Sequence, residues 1–133
     1  MQPAKILLGA FAYFLSSFLI QGILAAIIAS DYFSNIPVFR TEPIFYLSMG
    51  STFLSGLGFA ALYPITHFAG SPMFRGLKYG LLTALILVPF VAFDLPGRFS
   101  IPNIEKWIFI QGLLGIIHSC VAGILISLIY KDR

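Results

Sequence analysis

The stretch WIFIQGLLGIIHSCVAGILISLIY, residues 107–130, runs 24 residues without a charged side chain. A helix of that length crosses the ~30 Å hydrocarbon core of a bilayer. Near its middle sits His118, followed by Ser119 and Cys120. An imidazole at that depth needs a hydrogen-bond partner or a function.

Composition extends the membrane reading to the whole chain. Its 133 residues suit one domain, 59% of them are hydrophobic and 10% charged. Mean hydropathy is +0.95. Soluble domains carry about 25% charged residues, so a water-facing surface does not account for this chain. A net charge of +3 is too small to argue for nucleic acid. The single Cys120 excludes an internal disulfide and any multi-cysteine metal centre within one chain.

Three further apolar runs cover residues 6–30, 44–63 and 76–93, giving four expected spans in a single domain. The first is too long for the 7–15-residue core of a cleavable signal, so it reads as a retained span. Asp31, Tyr32 and Phe33 close it. Pro43 suits the first turn of the second span, and Pro64 should end or kink it. Residues 64–75, with His67, read as an interfacial loop. Pro89 should kink the third span, expected to be the shortest, with Lys78 snorkelling at its start. Tyr32, Phe45, Tyr46 and Trp107 at one border, and Tyr63, Phe74, Tyr79 and Tyr130 at the other, read as interfacial belts.

The fold class that follows is an all-α membrane protein, an antiparallel four-helix transmembrane bundle. Lys5, Arg75, Lys78, Lys131 and Arg133 fall on one side against Arg40, Arg98 and Lys106 on the other, which predicts both termini inside. Small residues mark where helix backbones approach closely. They are Ser48, Thr52, Gly56 and Ala60 on the second span, Gly76, Gly80 and Ala84 on the third, and Gly115, Ser119 and Gly123 on the fourth. Gly56 and Tyr63 align with Gly123 and Tyr130 at one constant offset, a weak sign of a two-hairpin repeat.

Polar residues inside the spans are few. Gln111, Gly115, His118 and Ala122 share one stripe of the fourth helix. Depth along each span places Gln21, Thr52, Ser55, Thr83 and His118 within about two turns of the midplane, a layer of ~10 Å. For His118 the first reading is helix glue, a neutral imidazole bonded to Gln21, Thr52 or a backbone carbonyl. Interhelical bonds of that kind contribute about 0.6 kcal/mol. A proton relay or substrate contact is the second reading, and metal or haem ligation the third. Cys120 lies on a different face from His118 and reads as a packing residue. Asp31 and Asp94 read as helix-end carboxylates with Arg40 and Arg98 available as partners.

There is no phosphate-binding glycine loop, no His/Glu zinc motif, no nucleophile elbow and no pair of catalytic carboxylates. No metal, cofactor or catalytic residue is expected, and an enzyme is the lesser expectation.

The run Arg75-Gly76-Leu77-Lys78-Tyr79-Gly80, the Pro89 kink and the glycine-bearing stretch from Trp107 to Tyr130 resemble small, uncharacterised four-span bacterial inner-membrane proteins, of the domain-of-unknown-function type. The resemblance implies a bacterial inner membrane and carries over no site residue. Three functions follow as expectations. The first is a non-catalytic subunit or stabilising partner of a larger membrane assembly, its partners the lipid bilayer and another membrane protein or further copies of itself. The second is a small oligomeric carrier or channel using the midplane layer around His118. The third is a haem- or quinone-binding membrane protein.

Overall fold

A computed structural model describes residues 2–131; Arg133, counted above among the basic residues of one side, lies outside them. Among the described residues every regular element is helical. Four helices are long and apolar enough to cross a membrane: α1 (Pro3–Ser34), α2 (Phe45–Ile65), α3 (Pro72–Arg98) and α4 (Ile104–Ile129).

Their starts follow from local chemistry. Pro3 and Pro72 occupy first-turn positions, where a missing N–H costs nothing. The Ser71 hydroxyl accepts from the Phe74 N–H at 3.5 Å, and Asn103 Oδ1 accepts from the Lys106 N–H at 3.2 Å. Asn103 adopts φ 50°, a left-handed conformation that asparagine tolerates. Pro43 lies outside α2, because Ile44 is non-helical (φ −85°, ψ 84°) and the helix opens at Phe45.

Two helices contain wide π turns that residue pattern did not announce. In α1 the turn spans Phe18–Leu24 and follows Ser16 and Ser17, whose hydroxyls donate to the Tyr13 carbonyl (2.9 Å) and to Gln21 Oε1 (3.3 Å). Serines bonding within their own helix loosen its ladder. In α3 the turn spans Phe90–Asp94, directly after Pro89. Proline withholds one donor and crowds the carbonyl four residues back; the wide turn accommodates both, and the helix continues to Arg98. The third span is therefore 27 residues against 21 for α2, so the expectation that it is shortest is corrected. α1 likewise continues past Ser30 to Ser34, across a break at Ala29 (φ −141°, ψ 19°).

α4 packs against both α3 and α1, and α1 also packs against α2. Glycines set the closest approaches. A Cβ on Gly76 would strike the Gly123–Ile124 backbone, one on Gly80 the Ser119–Cys120 backbone, and one on Gly123 the backbone of Gly76 and Gly80. A Cβ on Gly56 would lie 2.8 Å from the Ala10 carbonyl, and one on Gly9 2.7 Å from Ala60 Cβ. As positions rise along α3 they fall along α4, and the same holds for α1 against α2, so each hairpin is antiparallel. Gly9 and Gly76 fall at the same offset as Gly56 and Gly123, so the two hairpins close on small residues in matching places.

Two aromatic clusters lie toward opposite ends. One joins Tyr13, Phe59, Tyr63, Tyr79, Ile126 and Tyr130. The other joins Ala29, Tyr32, Ile36, Ile101 and Trp107. Most of the expected belt is thus inside the protein: Tyr32, Tyr63, Tyr79, Trp107 and Tyr130 are buried, while Phe45, Tyr46 and Phe74 are exposed. Carbonyls of neighbouring segments take the place of headgroups. Tyr32 donates to the Pro102 carbonyl at 2.7 Å, Tyr79 to the Phe59 carbonyl, and the Trp107 indole N–H to the Val91 carbonyl at 2.9 Å. That last bond anchors the start of α4 to the π turn of α3.

Candidate functional site

Between the two aromatic clusters, midway along α4, lies a cleft of about 430 Å³. α4 supplies Gln111, Gly115, His118 and Ser119; α1 supplies Tyr13 and Gln21; and α3 contributes Val88 and Phe90 among its apolar wall. Each helix reaches the cleft for a local reason. Gln111, Gly115 and His118 follow one helical stripe, as their spacing requires. Gln21 sits inside the π turn of α1. Gly115 lets Val88 approach: a Cβ there would be 2.8 Å from Val88 Cγ2.

His118 is 3% exposed, so the ring faces protein rather than lipid. Its Nε2 stands 3.4 Å from the Tyr13 carbonyl, and its ring meets the Tyr13 ring edge-on with centroids 4.6 Å apart. Of the partners expected for it, the backbone carbonyl is the one present; Gln21 turns its oxygen to Ser17 instead. The Tyr13 carbonyl already receives the Ser16 hydroxyl at 2.9 Å, so the longer imidazole contact is the weaker of the two.

The expected layer drew on all four helices, and the cleft brings together residues of that layer from two of them, α1 and α4. Gln21 and His118 share the cleft with Gln111. Thr52 donates to the Ser48 carbonyl of its own helix at 2.9 Å. Thr83 does the same toward the Tyr79 and Gly80 carbonyls, both at 2.9 Å. Ser55 is exposed. A hydroxyl within a helix can satisfy itself on the preceding turn and needs no neighbour, whereas a carboxamide is too long to do so easily. Tyr13 and Val88 escaped the sequence reading; for Tyr13 a signal existed, because Tyr13, Ser17 and Gln21 recur every four residues.

The cleft holds no formally charged side chain. Two carboxamides, an imidazole and a serine hydroxyl offer both donors and acceptors, suited to an uncharged polar molecule. Among the described residues the Gln111 carboxamide and the Gln21 amide nitrogen bond to no protein group. Gln21 is exposed and Gln111 half-buried, so these groups are available to hydrogen-bond an occupant of the cleft. Gln21 and Phe90 are exposed at the rim, which opens the cleft sideways between α1 and α3.

Elsewhere Arg98 pairs with Asp94 at 2.9 Å on the surface, a contact of small energetic weight. Cys120 is a free, half-buried thiol, and its backbone backs onto Gly80. Among the described residues no three His, Cys, Asp or Glu side chains gather as a metal site.

A scan of family models, a search of curated proteins and a search of solved structures each find no match to this chain.

Proposed function

We propose that this chain is a small carrier of the bacterial inner membrane, an antiparallel four-helix bundle with both termini inside, which takes up an uncharged hydrogen-bonding molecule from the side. The observation that supports it is the Gln111 carboxamide and the Gln21 amide nitrogen, neither bonded to protein, in a cleft between two aromatic clusters. Polar groups at hydrocarbon depth are costly and tend to mark pathways. Amides rather than acids there favour a neutral solute over a proton-coupled one.

The test is osmotic reswelling of proteoliposomes with urea and glycerol as probes. The protein should raise the uptake of at least one probe above that of empty vesicles. His118→Leu should still fold, at a stability cost of about 1 kcal/mol or less, and Gln111→Leu should lower uptake with a melting temperature no lower than the parent's. Uptake equal to empty vesicles, or unchanged in Gln111→Leu, would count against a carrier.

A second reading, a subunit of a larger assembly, is favoured by the first half of α2. Residues 45–51 are exposed all round, and a Cβ on Gly50 would meet nothing within 4 Å. Co-purification of a stoichiometric partner in mild detergent would support this reading, and a solitary native mass would oppose it.

A further inference from the structure

Two side chains in the wall of the Gln111 cleft hold polar atoms that no protein group uses. His118 and Ser119 are each 3% exposed, and both line the cleft. The imidazole engages one ring nitrogen, Nε2, which faces the Tyr13 carbonyl at 3.4 Å. A carbonyl oxygen only accepts, so Nε2 carries the hydrogen, and a neutral ring then keeps a lone pair on Nδ1. Among the described residues neither Nδ1 nor the Ser119 hydroxyl has a protein partner, and neither atom is sealed within the protein.

The free serine stands out from the other hydroxyls of the spans. Ser16, Thr52 and Thr83 each donate to a carbonyl of the preceding turn, the usual refuge of a hydroxyl inside a helix. Ser119 does not, so a donor and an acceptor lie on consecutive residues of one wall. The α3 wall is apolar, with Leu87, Val88 and Phe90, and Leu87 and Phe90 are exposed where the cleft opens sideways.

An occupant that meets this wall has to donate to Nδ1 and accept from Ser119. A hydroxyl group does both through one oxygen, whereas an ether or a ketone accepts only and leaves the Nδ1 lone pair unmet. A site built to bond a hydroxyl discriminates against the analogue that lacks it. We propose that the cleft takes a neutral amphiphile, an alcohol or a phenol, whose O–H donates to His118 Nδ1. Its oxygen accepts from the Ser119 hydroxyl, and its apolar body lies on the α3 wall. This assignment rests on the reading that the cleft takes up an uncharged molecule from the side, and restricts that molecule to one that donates.

The test is NMR of the full chain in detergent, with the imidazole nitrogens isotope-labelled. His67→Gln, at an exposed position, assigns the two histidine signals. Without a probe, His118 should carry its proton on Nε2. Titration with para-propylphenol should move the Nδ1 signal saturably, and para-propylanisole, its methyl ether, should bind about tenfold more weakly or not at all. Ser119→Ala removes a hydroxyl that holds nothing in the protein, so it should fold as the parent does and weaken the phenol about threefold or more. A proton on Nδ1 in the free chain, equal affinity for phenol and ether, or unchanged phenol affinity in Ser119→Ala overturns the hydroxyl assignment and leaves the carrier reading standing. A phenol that produces no saturable shift also overturns the assignment, and the carrier reading falls with it only if vesicle uptake of urea and glycerol is absent too.

Discussion

Ser127 is fully buried and has two partners at once. Its hydroxyl donates to the Pro72 carbonyl at the start of α3, so the Tyr63 hydroxyl, 2.6 Å away, must be the donor in the other bond. One oxygen thereby joins the end of α2, the start of α3 and the last turn of α4. Ser127→Ala leaves the Tyr63 hydroxyl and the Pro72 carbonyl both unpaired, so it should cost about 1–3 kcal/mol. The double variant Ser127→Ala with Tyr63→Phe, which removes the orphaned hydroxyl, should recover part of that. Thermal unfolding in detergent measures both, and a single variant as stable as the parent would mean that the bridge contributes nothing. This residue was not legible beforehand: a serine among Ile126, Leu128 and Ile129 looks like one more small residue until its two partners are known. His118 was legible, since its depth and stripe demanded a protein neighbour. Which of the expected partners it takes depended on the rotation of α1.

At the level of the helices, glycine spacing revealed the close-packing ridges but not which of them close. Gly80 and Gly123 press backbone on backbone, whereas Gly50, Gly58 and Gly112 have nothing within 4 Å of a Cβ position. All five sit in apolar helix, and the difference lies in the facing helix, which no single-chain pattern contains. Gly80→Ala should therefore push α3 from α4, a strain of about 1–3 kcal/mol typical of overpacking. Gly112→Ala should be neutral or stabilising by up to about 1 kcal/mol, because it only relieves glycine's helix penalty. Opposite shifts in melting temperature are the expected result, and equal shifts would show that the α3–α4 approach is looser than described. The four spans themselves were legible from length and apolarity. The π turns were not: FLIQGIL carries no proline and only Gly22 as a weak helix former, and its widening comes with side-chain bonds from Ser16 and Ser17. At Pro89 the proline announced a disturbance, and only the structure distinguishes a kink from a wide turn.

Across the whole molecule, the two aromatic clusters close its ends, and the polar cleft lies in the stretch between them that neither cluster fills. Both π turns border that stretch, and an added residue per turn redirects every side chain beyond it. They re-aim Gln21 on one wall and shape the other around Phe90. A cleft whose Gln111 carboxamide and Gln21 amide nitrogen bond to no protein group can admit water or solute, while the protein a short distance away is closely packed. Ala122 is fully buried on the same helix and serves as the comparison. In a Cys120→Ser background, Gln111→Cys should react readily with a neutral, membrane-permeant maleimide, because only a hydrated thiol forms the reactive thiolate. Ala122→Cys should resist the reagent under the same conditions. Saturating urea or glycerol, if either is the solute, should slow labelling at position 111 and leave position 122 unaffected. Equal resistance at both positions would mean that lipid or side chains seal the cleft, and the Gln111 carboxamide would then need a partner from another chain.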